Sequence, residues 1–531
     1  MLVALRVPRR LPSALFCSTQ AALLGSAHSV RPSDFRVQGS VGSVRQLHKD
    51  AGVNEHAEKT PITSQLWQMR QREAERDAAD ADSSLAHHTQ QALTKTTDDS
   101  RLSLRYNFST DSSLRDLYVD HLGGILIGKV FEDLDALAGN IANRHCDDHD
   151  PLTRRLSLVT ASVDKIVQKG GIPVHADLVI SGQVVWVGAS SLDVVVEIHT
   201  AADVEGGGAG VGMGAGLIEG SESRVAFVSV PVSKEAVSLQ PTLNDPQSRS
   251  RVLSSFFTYV ARDGDSKAAA VPQLRLRGDE EALSLQRGQA AATRKRARKG
   301  GAEGGAGAGA GAQVEGKAMR RLVESGTAVE DMPALAPPGV VLMRHTGLEN
   351  SVVCRPQNVN TSGRVFGGFI MHRAFDLALA TSYLFAGAYP AFQQVDRISF
   401  QQPVDIGDLL RLKSRVVFSS STASTSSAGT SPVTAHTSPI PDSPSSPLPL
   451  PLPYVVVEVS CSVVRPEQAS SIVSNTFHFI FAFPTGAGGS GGGGESGGGG
   501  GCGGSVLRRV LPTTLEEAQA LLAASAPGQS A

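Results

Sequence analysis

Cysteine is scarce in this chain. Its 531 residues include five, Cys17, Cys146, Cys354, Cys461 and Cys502, with no pair spaced as C-x-x-C. That pattern is neither a disulfide framework nor a zinc site, and it suits a reducing compartment. Net charge is nearly absent too: 49 Lys and Arg stand against 51 Asp and Glu, a formal −2. Nothing therefore draws the chain as a whole toward nucleic acid or an anionic membrane. No apolar run approaches the roughly 18 residues of a spanning helix. A G-x-S-x-G turn is also missing, which argues against the nucleophile elbow of a Ser–His hydrolase.

Glycine, by contrast, is abundant, and its 55 residues concentrate in runs. Residues 204–220 ("VEGGGAGVGMGAGLIEG") and 300–316 ("GGAEGGAGAGAGAQVEG") are Gly/Ala-rich, 419–453 is rich in Ser and Pro, and 485–505 is nearly pure glycine. Such stretches cannot bury enough apolar surface to offset their ordering entropy, so they read as disordered insertions and linkers. The charge run "RKRARK" at 294–299 reads as a solvated connector beside one of them. Residues 1–48 carry Arg6, Arg9, Arg10, Arg31, Arg36 and Arg45 with Asp34 as the only acid. Arg-rich, Ser-rich and acid-poor is the composition of an organelle transit peptide, mitochondrial ahead of plastid.

Two foldable blocks remain, 100–275 (interrupted by 204–220) and 335–484 (interrupted by 419–453). They are preceded by a polar, helical segment at 49–99, joined by a linker at 276–334, and followed by a Gly-rich tail and short helix at 485–531. The blocks echo each other. "IGKVFEDLDALAGNIANRH" (127–145) and "FGGFIMHRAFDLALATSYLFAG" (366–387) read as long helices, and superposing Gly128 on Gly368 also aligns Leu137 with Leu377 and Ala138 with Ala378. Strand-like runs follow each helix, at 156–168, 175–199 and 252–262, then at 392–404, 408–419, 454–464 and 471–483. One long helix with several antiparallel strands, repeated, predicts an α+β chain in which each half wraps a sheet round a helix.

Gly123, Gly128 and Lys129 also meet the G-x-x-x-x-G-K spacing of a phosphate-binding loop. Val130 then offers no hydroxyl for a magnesium ion, and "DSSLRDLYVDHL" before Gly123 is not a buried strand. These glycines belong to a helix start instead.

"GKVFEDLDALAG" with "VTASVDKI" and "SGQVVWVG", then "NVNTSGRVFGGFIMHRAFDLALATS" with "VDRISFQQPVDIG" and "NTFHFIFAF", resemble the mitochondrial acyl-coenzyme A thioesterase 9 group. The resemblance covers both blocks. It implies a double hotdog fold, two repeats each wrapping an antiparallel sheet around a long helix, and hydrolysis of acyl-CoA to a free acid and CoA. It implies no cofactor and no metal, acyl-CoA as substrate, and a homo-oligomer, since hotdog sheets commonly assemble. Family position places a water-activating Asp on Asp135. It places the partner Asn on Asn360, the first residue of N-x-x-G-x-x-x-G-G, which ends in Gly367 and Gly368.

The chemistry of these residue types agrees. Thioester hydrolysis passes through an oxyanion that needs donors aimed at it. A helix start has unsatisfied N–H groups and a positive dipole end, and Gly367 and Gly368 would let a substrate carbonyl approach them. A carboxylate is the natural base for the water. In the alignment Asp135 falls on Phe375 and Asn360 on Asp120, so each half keeps one partner of an asymmetric site. Asp376, one residue off, reads as a flank residue.

Periodicity alone does not choose between Asp133 and Asp135, which fall on opposite, semi-exposed flanks of the helix. Asn360 is equally open to a bland reading as a turn or capping residue. "HCDDHD" (145–150) has the residue types of a metal site, but nothing complements it and it reads as a loop. Two other classes stay in view. A hotdog hydratase would use an Asp and a His, for which His372 and Asp376 stand in reverse order and on the wrong face. A non-catalytic acyl-CoA-binding protein would release no thiol.

Overall fold

The computed structural model of the chain describes residues 59–80, 94–201, 225–227, 251–300, 310–420, 452–483 and 507–525, apart from residues 149, 151, 152, 154, 170, 264–266, 279, 361, 362 and 397. Residues 1–48, expected to be a transit peptide, the runs 204–220 and 485–505, and residues 421–451 of the Ser/Pro run lie outside this set.

Helices and antiparallel strands make up the fold. Two helices of 20 residues lie at its centre, α2 (Ile127–Cys146) and α4 (Gly367–Ala386). In α2, Val130, Phe131, Leu134, Leu137, Ala138 and Ile141 recur at helical spacing and all are buried, so packing of this face stabilises the helix. Arg144 and His145 in its last turn suit the negative end of its dipole. α4 ends where Gly387 adopts φ +69° and donates to the Tyr383 carbonyl at 2.8 Å, a left-handed cap. The two helices touch at their glycines. A Cβ on Gly368 would lie 2.8 Å from Glu132 Cα, and one on Gly128 would lie 2.1 Å from His372 Cδ2. Gly128 therefore admits the partner helix, and no phosphate loop is needed to explain it.

A 13-stranded sheet surrounds this pair. From the first half come β1 (Leu102–Tyr106), β2 (Ser157–Val163), β3 (Ile166–Gln168), β4 (Leu178–Val187), β5 (Ser191–Thr200), β6 (Val225–Phe227) and β7 (Arg251–Arg262). From the second come β8 (Leu348–Val353), β9 (Ala391–Val395), β10 (Ile398–Ser399), β11 (Leu409–Ser420), β12 (Tyr454–Arg465) and β13 (Ser470–Ala482). The order is β8-β11-β12-β13-β9-β3-β7-β5-β4-β1-β6, with β2 bridging β7 and β10. The halves join edge to edge, Val395 opposite Ile166 and Ile398 opposite Val163. In β11, Leu410, Leu412 and Val416 point inward while Arg411 and Lys413 stand outside, the period-2 alternation of a one-sided sheet. Between helix α4 and the sheet, Phe375 meets Phe392, Phe479 and Phe481 at centroid distances of 5.5, 5.9 and 5.9 Å.

The stretch 276–334, expected as a linker, contains two helices. One is the covering helix (Glu280–Gly300), the other Ala310–Asp331, which takes in residues 310–316 of the Gly/Ala run. Alanine is the strongest helix former, so part of that run propagates a helix rather than breaking one. The covering helix lies on the outer face of the first half, where Leu283 joins Val185, Val195 and Phe256 in a separate apolar cluster. Strands β4 and β5 are consequently buried on both faces. Arg287, 5% exposed, donates to Asp193 at 2.8 Å and pairs with Asp164 at 2.6 Å. Arg287→Ala strips two carboxylates of this guanidinium and should cost about 3–5 kcal/mol. A urea titration would read it as a lower midpoint at unchanged slope.

The polar N-terminal segment also docks. Helix α1 (Pro61–Asp80) buries Ile62 and Leu66 completely, and its Trp67 meets Phe366 edge-on at 5.1 Å.

Candidate active site

Each central helix is entered through the same tight turn. Before α4, Phe366 N–H donates to the Asn358 carbonyl at 2.9 Å, Val359 bridges Val365, and Asn360 N–H reaches the Arg364 carbonyl at 2.7 Å. Arg364 N–H returns to Asn360 Oδ1 at 3.2 Å. Before α2, Leu126 donates to Tyr118 at 2.8 Å, Val119 bridges Ile125, Asp120 N–H reaches Gly124 at 2.8 Å, and Gly124 N–H returns to Asp120 Oδ1 at 2.7 Å. Gly363 and Gly123 both sit at φ +79°, where a side chain would be strained. Every member of one turn lies 240 residues from its counterpart in the other, as 360 − 120 = 240 shows.

The turn brings the start of α4 against the side of α2. There Gly368 N–H donates to Asp135 Oδ2 at 2.7 Å. The carboxylate lies so close that a Cβ on Gly367 would fall 2.9 Å from the same oxygen and 3.3 Å from Phe400 Cζ. The other oxygen, Oδ1, has the Thr160 hydroxyl at 3.4 Å and the Tyr259 hydroxyl at 3.4 Å. Three segments far apart in sequence thus converge on one carboxylate. Burial pushes Asp135 up to about 6, against the pull of the Gly368 N–H and the two hydroxyls.

The expectation that Asp133 and Asp135 are semi-exposed is corrected: they are 0% and 4% exposed. α2 is enclosed on every flank, by the sheet, by α4 and by α1, so its sequence periodicity understates its burial. Asp133 faces away from the Gly367–Gly368 junction. Its Oδ1 accepts from Thr60 and, at 2.9 Å, from Thr63. Its Oδ2 accepts from Tyr118 at 2.6 Å and Tyr106 at 3.1 Å. Four hydroxyls holding one buried carboxylate is a structural anchor for α1.

Gly368 has a role the sequence did not suggest. Its N–H, expected to face a substrate carbonyl, holds Asp135. The positive end of α4 attracts the nearest negative charge, which is the carboxylate itself. Asn360 lies in the turn that leads into α4. Because Oδ1 serves the Arg364 N–H, Nδ2 is the donor end of its side chain.

His372 lies one turn along α4 from Gly368, at the same contact with α2, where its Nδ1 is 2.8 Å from Glu132 Oε1 and its Nε2 3.6 Å from Asp376 Oδ2. Both ring nitrogens face carboxylates, and the ring fills the space over Gly128. In "HCDDHD", His145 is buried with Nε2 2.9 Å from the Pro272 carbonyl. Among the described residues, no group of three or more His, Cys, Asp or Glu side chains is placed to hold a metal ion. Thr160 and Tyr259 were not legible from sequence. Their one signal is the strand register that sets them opposite each other, and a long-range pairing of that kind leaves no local mark.

No family model matches the chain. It is 36% identical over 464 residues to acyl-coenzyme A thioesterase 2, chloroplastic, of Humulus lupulus, covering 87% of each chain. It is 26% identical over 385 residues to the human acyl-coenzyme A thioesterase 9, mitochondrial, covering 72% of this chain and 71% of that one. A solved acyl-ACP thioesterase from Bacteroides thetaiotaomicron is 8% identical and superposes with a TM-score of 0.34, covering 73% of this chain and 100% of that one; a likeness so low carries no argument. The identity to the plant enzyme extends over most of both chains, and by it this chain belongs to the acyl-coenzyme A thioesterase family.

Proposed function

We propose that the chain hydrolyses acyl-CoA thioesters to free acid and CoA at the junction of α2 and α4, with Asp135 as general base. The observation that carries this is the buried Asp135 carboxylate held at the first amides of a helix, where a carbonyl oxygen and a water could both be engaged. The thioester carbonyl takes the Gly367 N–H and the Asn360 Nδ2, and draws the Gly368 N–H from Asp135 as negative charge develops on the oxygen. Asp135 accepts a proton from water while the water oxygen bonds to the carbonyl carbon. Collapse of the tetrahedral oxyanion breaks the C–S bond, and the proton passes from Asp135 to the departing thiolate. One water is consumed; one acid and one thiol leave.

Thiol release across a series of acyl-CoAs of different chain length tests the activity. Water addition to an enoyl-CoA without free thiol, or binding without turnover, would overturn it. The pH profile tests the base. A carboxyl at about 6 is mostly protonated below that pH, so kcat/KM should fall about tenfold per unit there and level off above it. The same displacement makes the fold less stable as pH rises from about 4 to about 6, because the unfolded chain ionises first, near 3.9. A profile flat from pH 5 to 8 would exclude Asp135 as the base.

We extend the proposal to architecture and location. Each half is a hotdog unit, one repeat of an ancestral pair, and the 240-residue recurrence of the helix-entry turns supports this. Residues 1–48 direct the chain to the mitochondrion in preference to the plastid, and the relatives' names include both organelles. A fusion of residues 1–48 that enters plastids alone would overturn that choice. The chain assembles as a homo-oligomer, and a monomer mass in analytical ultracentrifugation would count against it. No helix among the described residues is long and apolar enough to cross a membrane.

A further inference from the structure

We propose that Tyr259 is a positioning residue of the hydrolytic site, its hydroxyl fixing Asp135 so that Oδ2 points at the start of α4. The inference rests on the reading of Asp135 as the base. Tyr259 lies in the last third of β7, directly opposite Thr160 of β2 in the sheet register, so both hydroxyls leave the sheet toward α2. The phenol is 3% exposed. Its oxygen lies 3.4 Å from Asp135 Oδ1 and 3.3 Å from the Asp135 backbone carbonyl oxygen. One hydroxyl therefore reaches both the side chain and the backbone of the same residue. It can donate its single proton to either, which ties the rotamer of the carboxylate to the helix that carries it. Gly139, one turn along α2, faces this hydroxyl, and its absent Cβ would stand 3.6 Å away.

Ionisation sharpens the role. Burial and the neighbouring Asp135 hold the Tyr259 phenol well above 10, so it remains a donor throughout the working range. A donor to the ionised carboxylate favours that form. With Oδ1 held by Tyr259 and Thr160, Oδ2 is the oxygen left to exchange the Gly368 N–H for the proton of water. Other charged groups near the pair are accounted for. Arg70 of α1 acts on Tyr259. Glu132 on α2 pairs with His372 of α4. Asp133, also pushed up to about 6 by burial, is enclosed by Thr60, Thr63, Tyr106 and Tyr118 and does not touch the phenol.

Tyr259→Phe keeps the ring and removes the hydroxyl. In the full chain kcat should fall roughly 5- to 50-fold with KM nearly unchanged, within the span of a misplaced catalytic group. The ascending limb of the pH profile should move up by about half a unit or more, because the carboxylate loses a donor. Incorporation of 3,5-difluorotyrosine at position 259 gives the opposite sign. It preserves shape and strengthens the donor, so the limb should move down. A folded Tyr259→Phe enzyme with unaltered kcat and unaltered limb would overturn the proposal. So would a fall in kcat matched by loss of folded protein with the limb in place, which is a structural role only. If the Phe variant does not fold, the fluorinated enzyme decides, and an unmoved limb there overturns the proposal equally. If Asp135→Asn retains turnover, the base assignment itself has failed. If Asp135→Asn is inactive and Tyr259→Phe is normal, only the role of Tyr259 has.

Discussion

Asp135→Asn should lower kcat for acyl-CoA hydrolysis by roughly 10²–10⁴, the span for removal of a general base, while the chain remains folded. The asparagine has the same shape. Its carbonyl oxygen can take over the Gly368 N–H bond, 2.7 Å in the native site, and its amide can donate to the Thr160 and Tyr259 hydroxyls, which also accept. What it cannot do is take a proton from water. Because burial raises the carboxyl of Asp135 to about 6, its ionised form is disfavoured by the fold. The neutral amide should therefore leave stability at pH 8 equal or higher. A stopped assay of thiol release and a urea titration on the same preparation separate the two effects. Near-normal turnover would end the assignment, and loss of turnover together with loss of folding would leave Asp135 a structural residue. Asp133→Asn is the internal control for chemistry. Its effect should appear in stability, because four hydroxyls surround that carboxylate, and not in kcat of the folded fraction.

The second large effect is expected at Asn360, where two variants divide the turn from the chemistry. Asn360→Ala removes the Oδ1 that accepts Arg364 N–H at 3.2 Å as well as the Nδ2 donor, so a loss of roughly 10²–10³ in kcat could come from either. Asn360→Asp separates them. An aspartate serves this turn already in the first half, where Asp120 Oδ1 accepts Gly124 N–H at 2.7 Å. The Asp variant should therefore fold and enter α4 as the native chain does. It loses the N–H donor and sets a carboxylate near a developing oxyanion. Turnover should fall at least as far as in Asn360→Ala, with the thermal midpoint close to that of the native chain. Activity retained by Asn360→Asp and lost by Asn360→Ala would mean that Asn360 serves only as a turn residue.

Much of the site was legible because its elements are local. Gly367 and Gly368 stand at the start of a long apolar helix, and Asn360 stands seven residues before Gly367 in a turn that needs Gly363 at positive φ. Local spacing carries all of that. The 240-residue echo marked Asp135 and Asn360 as positions at which the halves differ. What spacing could not reveal is burial. Asp133 and Asp135 sit on the flanks of an apolar stripe and would be solvated if only one face of α2 were covered. The cover on the other flanks comes from α4 and α1, which lie elsewhere in sequence.

The covering helix makes the same point from the other side. The first-half strands "LVISGQVVWV" and "SLDVVVEIHT" are buried along most of their length, although the second carries Asp193, Glu197 and His199 among its valines. Their outer face is covered by Glu280–Gly300, within a stretch that composition alone marks as a linker. Its few anchors, Leu283 and Arg287, are single residues in a polar helix, too sparse to stand out before their partners are known.

Local pattern is enough for the α+β composition, the two long helices and most strands that follow them, and the glycines at the helix starts. These depend on periodicity and backbone freedom within a few residues. Folding in three dimensions sets which aspartate meets the helix start, that Gly368 N–H holds it, and that Thr160 and Tyr259 stand over it. Those relations join α2, β2, β7 and α4 across more than 200 residues of chain. They follow from strand register and helix crossing, which many distant contacts set together and no local pattern records.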